Sequence, residues 1–144
     1  MRSLFDVNVL IALLDPTHVF HGTVHTWWAA HAAHGWASCP LTQNGFLRIV
    51  AQLNYPAHQP VGVALDRLRT STRAGSHEFW ADEVSIADET LFDGRFLLGP
   101  KQITDVYLLG LAVRRGGRLV TFDRAISHCA VRGAGPGSLV VLAG

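Results

Sequence analysis

Short apolar runs alternate along the chain with longer segments in which apolar residues recur every three or four positions. The short runs predict β-strands over residues 3–7, 36–40, 118–122 and 138–142. The longer segments predict helices over residues 8–14, 18–33, 60–72 and 104–115, and another helix after Thr42. Strands and helices that alternate in this way predict an α/β fold with a mainly parallel central sheet.

Helix ends and inward faces follow from capping residues and apolar spacing. Thr42 and Thr104 are predicted to be the N-caps of their helices. The apolar side chains expected to point inward are Phe46, Leu47, Val50 and Leu53 in one helix, and Val61, Leu65 and Leu68 in another. Residues 79–84 are predicted to be a strand or loop, and residues 86–100 a short helix followed by a loop.

Length and composition are those of one domain with a substantial core. A chain of 144 residues with 49% apolar types buries roughly two thirds of its unfolded surface, so we expect a single domain over residues 1–144. Its apolar stretches are broken well before the roughly 18 residues that a membrane span requires. The N-terminus leads directly into a strand and lacks the features of a signal peptide. These features predict a cytoplasmic protein that does not associate with membranes.

The charge is distributed unevenly, although its sum is only +1. After Asp93 the only acidic residues are Asp105 and Asp123, and the basic residues are Arg95, Lys101, Arg114, Arg115, Arg118, Arg124 and Arg132. A basic half that keeps two carboxylates is typical of an acidic site surrounded by phosphate contacts. Any single arginine can equally be explained as a residue that favours a helix C-terminus.

Three aspartates lie where the predicted strands and helices meet. Asp6 and Asp123 close short strand-like runs, and Asp105 opens a strongly helical segment. Open α/β folds place their sites at the carboxyl end of a parallel sheet, so we expect the three side chains to converge there. Carboxylates that close together repel one another, and a divalent cation is the usual means of neutralising them. Asp105 alone could be explained as an acid that favours a helix N-terminus, but that explanation does not cover Asp6 and Asp123.

The order and spacing of four segments resemble the PIN-domain nucleases, and among them the VapC-type toxins of bacterial toxin–antitoxin modules. The segments are Asp6 to Asn8, Cys39 to Arg48, Thr104 with Asp105, and Thr121 to Arg124. The resemblance covers nearly the whole chain. It implies a three-layer α/β/α sandwich and an endoribonuclease that uses one or two Mg²⁺ ions, with Mn²⁺ as an alternative. It also implies a VapB-type antitoxin as partner, RNA as substrate and a homodimer as the working unit.

The resemblance also implies roles for individual residues. Asp6, Asp105 and Asp123 would be the catalytic metal ligands, and Asp123 could instead position the attacking water. Four residues would surround these ligands and orient them or a phosphate: Asn8, Gln43, Thr104 and Thr121. Arg48 and Arg124 would contact the RNA phosphates.

Gln43 departs from the family pattern, which has a glutamate at the matching position. The chain contains no Asp or Glu between Asp15 and Asp66 that could replace it. A glutamine carbonyl can coordinate a hard cation but adds no charge, so we expect weaker or more selective metal binding. The alternative is a catalytically silent PIN domain that binds RNA or an antitoxin.

Other kinds of site have less support. A phospho-accepting receiver domain also gathers acids at strand ends, but it needs a lysine beyond the acceptor, and the only lysine, Lys101, precedes Asp105 and Asp123. Two histidine pairs have spacings that could hold Zn²⁺, namely His21 with His25 and His31 with His34. No cysteine cluster accompanies them, so we interpret them as surface residues.

Overall fold

A five-stranded sheet, parallel throughout, forms the centre of the protein in a computed structural model that describes residues 1–143. The strands are Ser3–Phe5 (β1), Trp36–Ser38 (β2), His77–Phe79 (β3), Arg118–Thr121 (β4) and Leu139–Val141 (β5). The helices are Val7–Leu14 (α1), His21–His31 (α2), Pro40–Val50 (α3), Val61–Thr72 (α4) and Ile103–Arg114 (α5). The strand order is β3-β2-β1-β4-β5, which confirms the predicted α/β class with a parallel sheet.

Helices cover both faces of the sheet, because successive strand residues point to opposite sides. On one face Leu4, Ala37 and Leu119 meet the buried side of α5. On the other face Phe5, Trp36 and Val120 meet apolar side chains of α1, α2, α3 and α4. The result is the three-layer α/β/α sandwich that the resemblance implied.

Gly45 allows α3 to lie directly against the start of α1. A Cβ atom at this position would be 2.7 Å from the Val7 side chain, closer than side-chain carbons approach one another. The absence of a side chain therefore brings α3 close to the residue that follows Asp6. Both helices begin at the carboxyl edge of the sheet, because each directly follows a parallel strand.

Two of the strand and helix predictions were wrong in position. The third strand covers His77–Phe79 and not residues 79–84, because it pairs with β2 at the edge of the sheet and shows no apolar alternation of its own. Residues 86–100 contain no α-helix, only turns and a short 3₁₀ segment, Gly94–Phe96. Asp93 caps that segment by accepting a hydrogen bond from the Arg95 amide.

Two inward positions were also predicted wrongly. Helix α3 ends at Val50, so Leu53 lies in the turn beyond it and is 89% exposed. Val61 is the first residue of α4 and is 58% exposed, and the buried residues of that helix are Ala64 and Leu68. The error at Leu53 arises because the apolar spacing was extended past the end of α3, whereas Val61 is exposed because it lies in the first turn of α4, before the buried part of that helix.

Neither threonine occupies the cap position predicted for it. Helix α3 begins at Pro40 after an N-cap at Cys39, and Thr42 contributes from inside the first turn by accepting the Cys39 amide at 3.0 Å. Helix α5 begins at Ile103, so Thr104 lies within its first turn and is exposed. Among residues 1–143, none of the helices has the length and apolar character needed to cross a bilayer.

Candidate active site

The sheet and α5 bring Asp6, Asp105 and Asp123 to the same edge of the protein. Strands β1 and β4 are parallel neighbours, with Phe5 opposite Val120, so Asp6 follows β1 at the level where β4 ends. Asp123 comes two residues after β4. Asp105 lies in the first turn of α5, which runs back from this edge to the start of β4. The convergence expected from the sequence is therefore present.

Asp6 is held rigidly by two different hydrogen bonds and is only 3% exposed. It is the N-cap of α1, and its Oδ1 accepts the Val9 amide at 2.9 Å. Its Oδ2 accepts the hydroxyl of Thr121. Burial raises the pKa of Asp6, although the hydrogen bonds from Thr121 and from the first amides of α1 oppose that rise. The carboxylate is thus fixed in orientation but incompletely compensated in charge.

Thr121 connects two of the three acids. Its Oγ1 donates to Asp6 and accepts the backbone amide of Asp123 at 3.0 Å. The side chain is fully buried, so neither hydrogen bond is exchanged for water. Thr121 therefore orients Asp6 and the start of the Asp123 loop together.

Asp105 and Asp123 are close enough to share a hydrogen bond between their side chains. Burial, the negative charges of Asp6 and Asp123, and this hydrogen bond raise the pKa of Asp105 to about 7. At neutral pH a substantial fraction of the molecules therefore carry a protonated Asp105. The three acids form one electrostatically coupled cluster, which we call the carboxylate cluster.

The donors of the carboxylate cluster suit a hard divalent cation. Carboxylate oxygens are the ligands that Mg²⁺ and Mn²⁺ prefer, and a cation would offset the repulsion that raises the pKa of Asp105. As the side chains stand, no three His, Cys, Asp or Glu residues among residues 1–143 are arranged to hold one ion together. Both oxygens of Asp6 accept hydrogen bonds, and Asp105 and Asp123 interact with each other. Asp105 and Asp123 would have to change orientation to coordinate one ion together with Asp6.

The other predicted site residues are less closely connected with the cluster. The amide of Asn8 helps to hold Asp6, while its side chain is exposed. Thr104, Arg48 and Arg124 are also exposed. Gln43 is partly buried, and its Nε2 donates to Ser38 Oγ at 3.0 Å.

Ser38 and His77 are residues of this region that sequence analysis did not identify. Ser38 Oγ lies 2.8 Å from His77 Nε2 and also accepts the hydrogen bond of Gln43. The contact exists because β3 pairs with β2 in a register that sets His77 opposite Trp36. No local pattern in the sequence signals this pairing.

The histidines considered as zinc ligands have structural contacts. His21 Nδ1 lies 2.7 Å from the Ala12 carbonyl, and His25 Nε2 lies 3.1 Å from the Leu13 carbonyl. Their rings thus hydrogen-bond the free carbonyls at the end of α1.

Comparison with known proteins gives consistent results. The PIN domain family model matches residues 3–131. Ribonuclease VapC44 of Mycobacterium tuberculosis is 50% identical over 134 residues, which cover 93% of this chain and 94% of that protein. Ribonuclease VapC38 of the same species is 43% identical over 128 residues, 86% of each chain. Among solved structures, this chain is similar to VapBC2 from Rickettsia felis, which was solved bound to a DNA fragment from its promoter. The TM-score is 0.61 and the sequence identity 9%, and the match covers 99% of this chain and 100% of that chain. That likeness supports the fold alone.

Proposed function

The chain belongs to the PIN-domain family and, within it, to the VapC-type ribonucleases, and on this basis we propose that it is a metal-dependent endoribonuclease acting as the toxin of a toxin–antitoxin module. The observation that carries the proposal is the carboxylate cluster at the carboxyl edge of the sheet. Burial and the neighbouring negative charges raise the pKa of Asp6 and of Asp105, so the arrangement is unfavourable for folding alone. Such an arrangement is typical of a site kept for its chemistry.

Asp6, Asp105 and Asp123 would hold Mg²⁺ or Mn²⁺ in this proposal. The chemistry that such an ion supplies is activation of a water for in-line attack on a phosphodiester and neutralisation of the charge that develops on the phosphoryl oxygens. Asp6 needs little reorganisation, because Val9 and Thr121 already orient its carboxylate. Asp105 holds a proton near neutrality, and ion binding would release it.

Exposed basic side chains would bind the RNA backbone. Arg124 directly follows Asp123, and both Arg124 and Arg48 are exposed to solvent, where a phosphate can reach them. Contacts of this kind position RNA without reading its sequence. We therefore assign Arg48 and Arg124 to phosphate binding and leave base selection to other residues.

Cleavage of RNA by the purified protein tests the proposal. We expect cleavage with Mg²⁺ or Mn²⁺ and none in the presence of a chelator. Asp6→Asn and Asp123→Asn should each lower the rate by at least about 100-fold while the circular-dichroism spectrum stays that of the folded protein. Asp66→Asn is the matched control, because Asp66 is an exposed acid on α4. Cleavage that persists in chelator, or in both the Asp6→Asn and the Asp123→Asn variant, would refute the proposal.

A catalytically silent RNA- or antitoxin-binding module is the second candidate, and the state of Gln43 is the observation that favours it. Its amide is bound to Ser38 and supplies no negative charge to the cluster. Restoring the charge with Gln43→Glu separates the two candidates. If the wild type is inactive and this variant cleaves RNA, the natural chain is a silent module. Activity in both forms supports the enzyme.

The proposed partner is a VapB-type antitoxin, and the proposed working unit is a homodimer. An antitoxin could inhibit the enzyme by placing an Arg or Lys side chain in charge-assisted contact with the carboxylate cluster, where it would compete with the ion or with phosphate. Co-purification with the product of the neighbouring gene, followed by an RNA cleavage assay, tests the inhibition. Sedimentation of the isolated protein tests the dimer.

A further inference from the structure

A cavity of about 310 Å³ lies between the loop that follows α1 and the turns that follow α3. Its walls contain none of the three acids of the carboxylate cluster and consist of Asp15, Thr17, His18, Val19, Tyr55 and Pro56. Binding sites for small molecules have volumes of roughly 300–1,000 Å³. The cavity is therefore large enough for a small ligand or for one side chain of another protein.

Asp15 places a fixed carboxylate in the wall of this cavity. Its Oδ1 accepts the Thr17 amide at 2.9 Å and the Thr17 hydroxyl at 2.7 Å, and its Oδ2 accepts the Tyr55 hydroxyl at 2.5 Å. Burial raises the pKa of Asp15, but these hydrogen bonds outweigh burial and leave that pKa below 3.8. Asp15 is therefore ionised at neutral pH. Each carboxylate oxygen can accept two hydrogen bonds, so Oδ2 keeps one free acceptor position.

The negative charge of Asp15 has no ion-pair partner among residues 1–143. Arg67 approaches the same end of α1, but its guanidinium donates to the Leu14 carbonyl. A protonated His18 would lower the pKa of Asp15 further, but His18 Nδ1 accepts the Phe20 amide at 3.0 Å and so carries no proton. Asp15 is also the C-cap of α1, where the helix dipole disfavours an anion. A positive charge in the cavity would offset both effects.

The other walls of the cavity favour an organic cation over a metal ion. Val19, Pro56 and the ring of Tyr55 offer apolar surface, against which a hydrocarbon stem can pack. An aromatic ring also attracts a nearby ammonium group. A hard metal ion, in contrast, needs several oxygen ligands, and Asp15 is the only carboxylate in these walls.

We propose that this cavity binds an ammonium group carried on an apolar stem, with Asp15 as the counterion and Val19, Tyr55 and Pro56 in contact with the stem. The site lies outside the carboxylate cluster, and the proposal does not depend on RNA cleavage. A free amine and a lysine side chain of another protein present the same chemistry. The cavity discriminates by charge, since it would repel an anion and would leave Asp15 without a counterion beside a neutral molecule.

Titrations of the ¹⁵N-labelled protein at neutral pH with phenethylamine, phenethyl alcohol and hydrocinnamate test the proposal. The three probes share a phenyl ring on a short stem and end in a cation, a neutral group and an anion. Phenethylamine should move the amide signals of Thr17, Val19 and Tyr55 and bind at least about 10-fold more tightly than the alcohol, because it adds a charge-assisted hydrogen bond. Hydrocinnamate should bind more weakly than the alcohol. N-acetyl-lysinamide, titrated in the same way, shows whether a lysine side chain also fits.

Two variants with matched controls assign the preference for a cation to this cavity. Asp15→Asn should bring the affinities for the amine and the alcohol within about twofold of each other, whereas Asp66→Asn, at an exposed acid on α4, should leave the preference unchanged. Val19→Lys places an ammonium group of the protein itself at the cavity and should weaken amine binding about 10-fold. Val19→Met, which adds length without charge, should weaken amine and alcohol binding equally. Val19 is 81% exposed, so neither change disturbs the core.

The results that would overturn the proposal are equally specific. If amine and alcohol bind the wild type equally, or neither probe amine binds at millimolar concentration, Asp15 serves only to hold the two loops together. A preference for the amine that survives Asp15→Asn would place the bound cation elsewhere on the protein. If Asp15→Asn does not fold, the comparison of Val19→Lys with Val19→Met decides, and equal amine binding by those two variants would overturn the proposal. Signals that move with phenethylamine and not with N-acetyl-lysinamide identify a site for free amines, and the reverse identifies a site for a lysine side chain.

Discussion

Replacement of Asp105 by Asn should stabilise the protein in the presence of chelator while abolishing RNA cleavage. Asp105 lies beside Asp6 and Asp123, and its pKa rises to about 7 because of burial and those two charges. Above neutral pH the carboxylate therefore adds repulsion to the folded state that the unfolded chain does not experience. Asparagine keeps the shape of the side chain and removes the charge.

The size and the pH dependence of this effect follow from the difference in pKa. The unfolded chain loses the Asp105 proton near pH 3.8, whereas the folded protein keeps it to about pH 7. The wild type should therefore lose stability as the pH rises from 4 to 7 and should change little above that. The difference between the folded and the unfolded pKa of Asp105 corresponds to at most about 4 kcal/mol of unfolding free energy, because each unit of pKa difference is worth about 1.4 kcal/mol. Solvent around the partly exposed carboxyl group reduces it to about 1–2 kcal/mol.

Thermal unfolding of the two proteins between pH 4 and pH 8, with chelator present, measures the effect. At pH 8 the Asp105→Asn variant should melt roughly 4–8 °C higher than the wild type, and the difference should disappear near pH 4. Asp66→Asn serves as the control and should follow the wild-type pH dependence, since Asp66 is exposed on α4. Equal melting temperatures at pH 8, or a variant that is less stable there, would refute the reasoning about the carboxylate cluster.

Three further predictions concern the support around the site. Thr121→Val should destabilise the protein by about 1–3 kcal/mol in urea unfolding and lower the rate of RNA cleavage, because Asp6 loses a buried hydrogen-bond donor. A variant that cleaves RNA at the wild-type rate would contradict this prediction. Tyr55→Phe should cost about 1–2 kcal/mol at pH 7, because Tyr55 donates to Asp15 at 2.5 Å. Burial raises the pKa of Asp15, but hydrogen bonds from Tyr55 and a threonine outweigh burial and leave that pKa below 3.8. The loss of stability caused by Tyr55→Phe should therefore shrink as acid protonates Asp15. A loss of stability that is constant with pH would count against this explanation. Gly45→Ala should cost about 1–3 kcal/mol in thermal unfolding, since the new Cβ would lie 2.7 Å from the first side chain of α1; an unchanged melting temperature would exclude the tight helix contact.

Much of the fold could be predicted because the relevant signals are local. Four of the five strands are apolar runs, and the alternation of strands and helices indicates a parallel sheet. Strand β3 could not be predicted in this way, because its side chains are largely exposed and its conformation depends on pairing with β2. The exposure of Leu53 could not be predicted either, since apolar spacing does not show where a helix ends.

The candidate site was predictable to the extent that its residues follow strands and open helices. Asp6, Asp105 and Asp123 could be grouped because the ends of parallel strands meet at one edge of the sheet. Ser38 and His77 could not be found, because their contact requires the register between β2 and β3. The orientation of Gln43 likewise depends on atoms that are distant in sequence.

The hydrogen bond between Asp6 and Thr121 joins residues 115 positions apart in the chain. At a synthesis rate of about 5–20 residues per second, roughly 6–23 seconds separate the addition of these two residues to a growing chain. During that interval Asp6 lacks the threonine that orients it and also Asp123, and Asp105 is added only near the end of it. A nascent chain therefore cannot assemble the carboxylate cluster on the ribosome before β4 has emerged, and translation itself delays the appearance of any activity that the cluster supports.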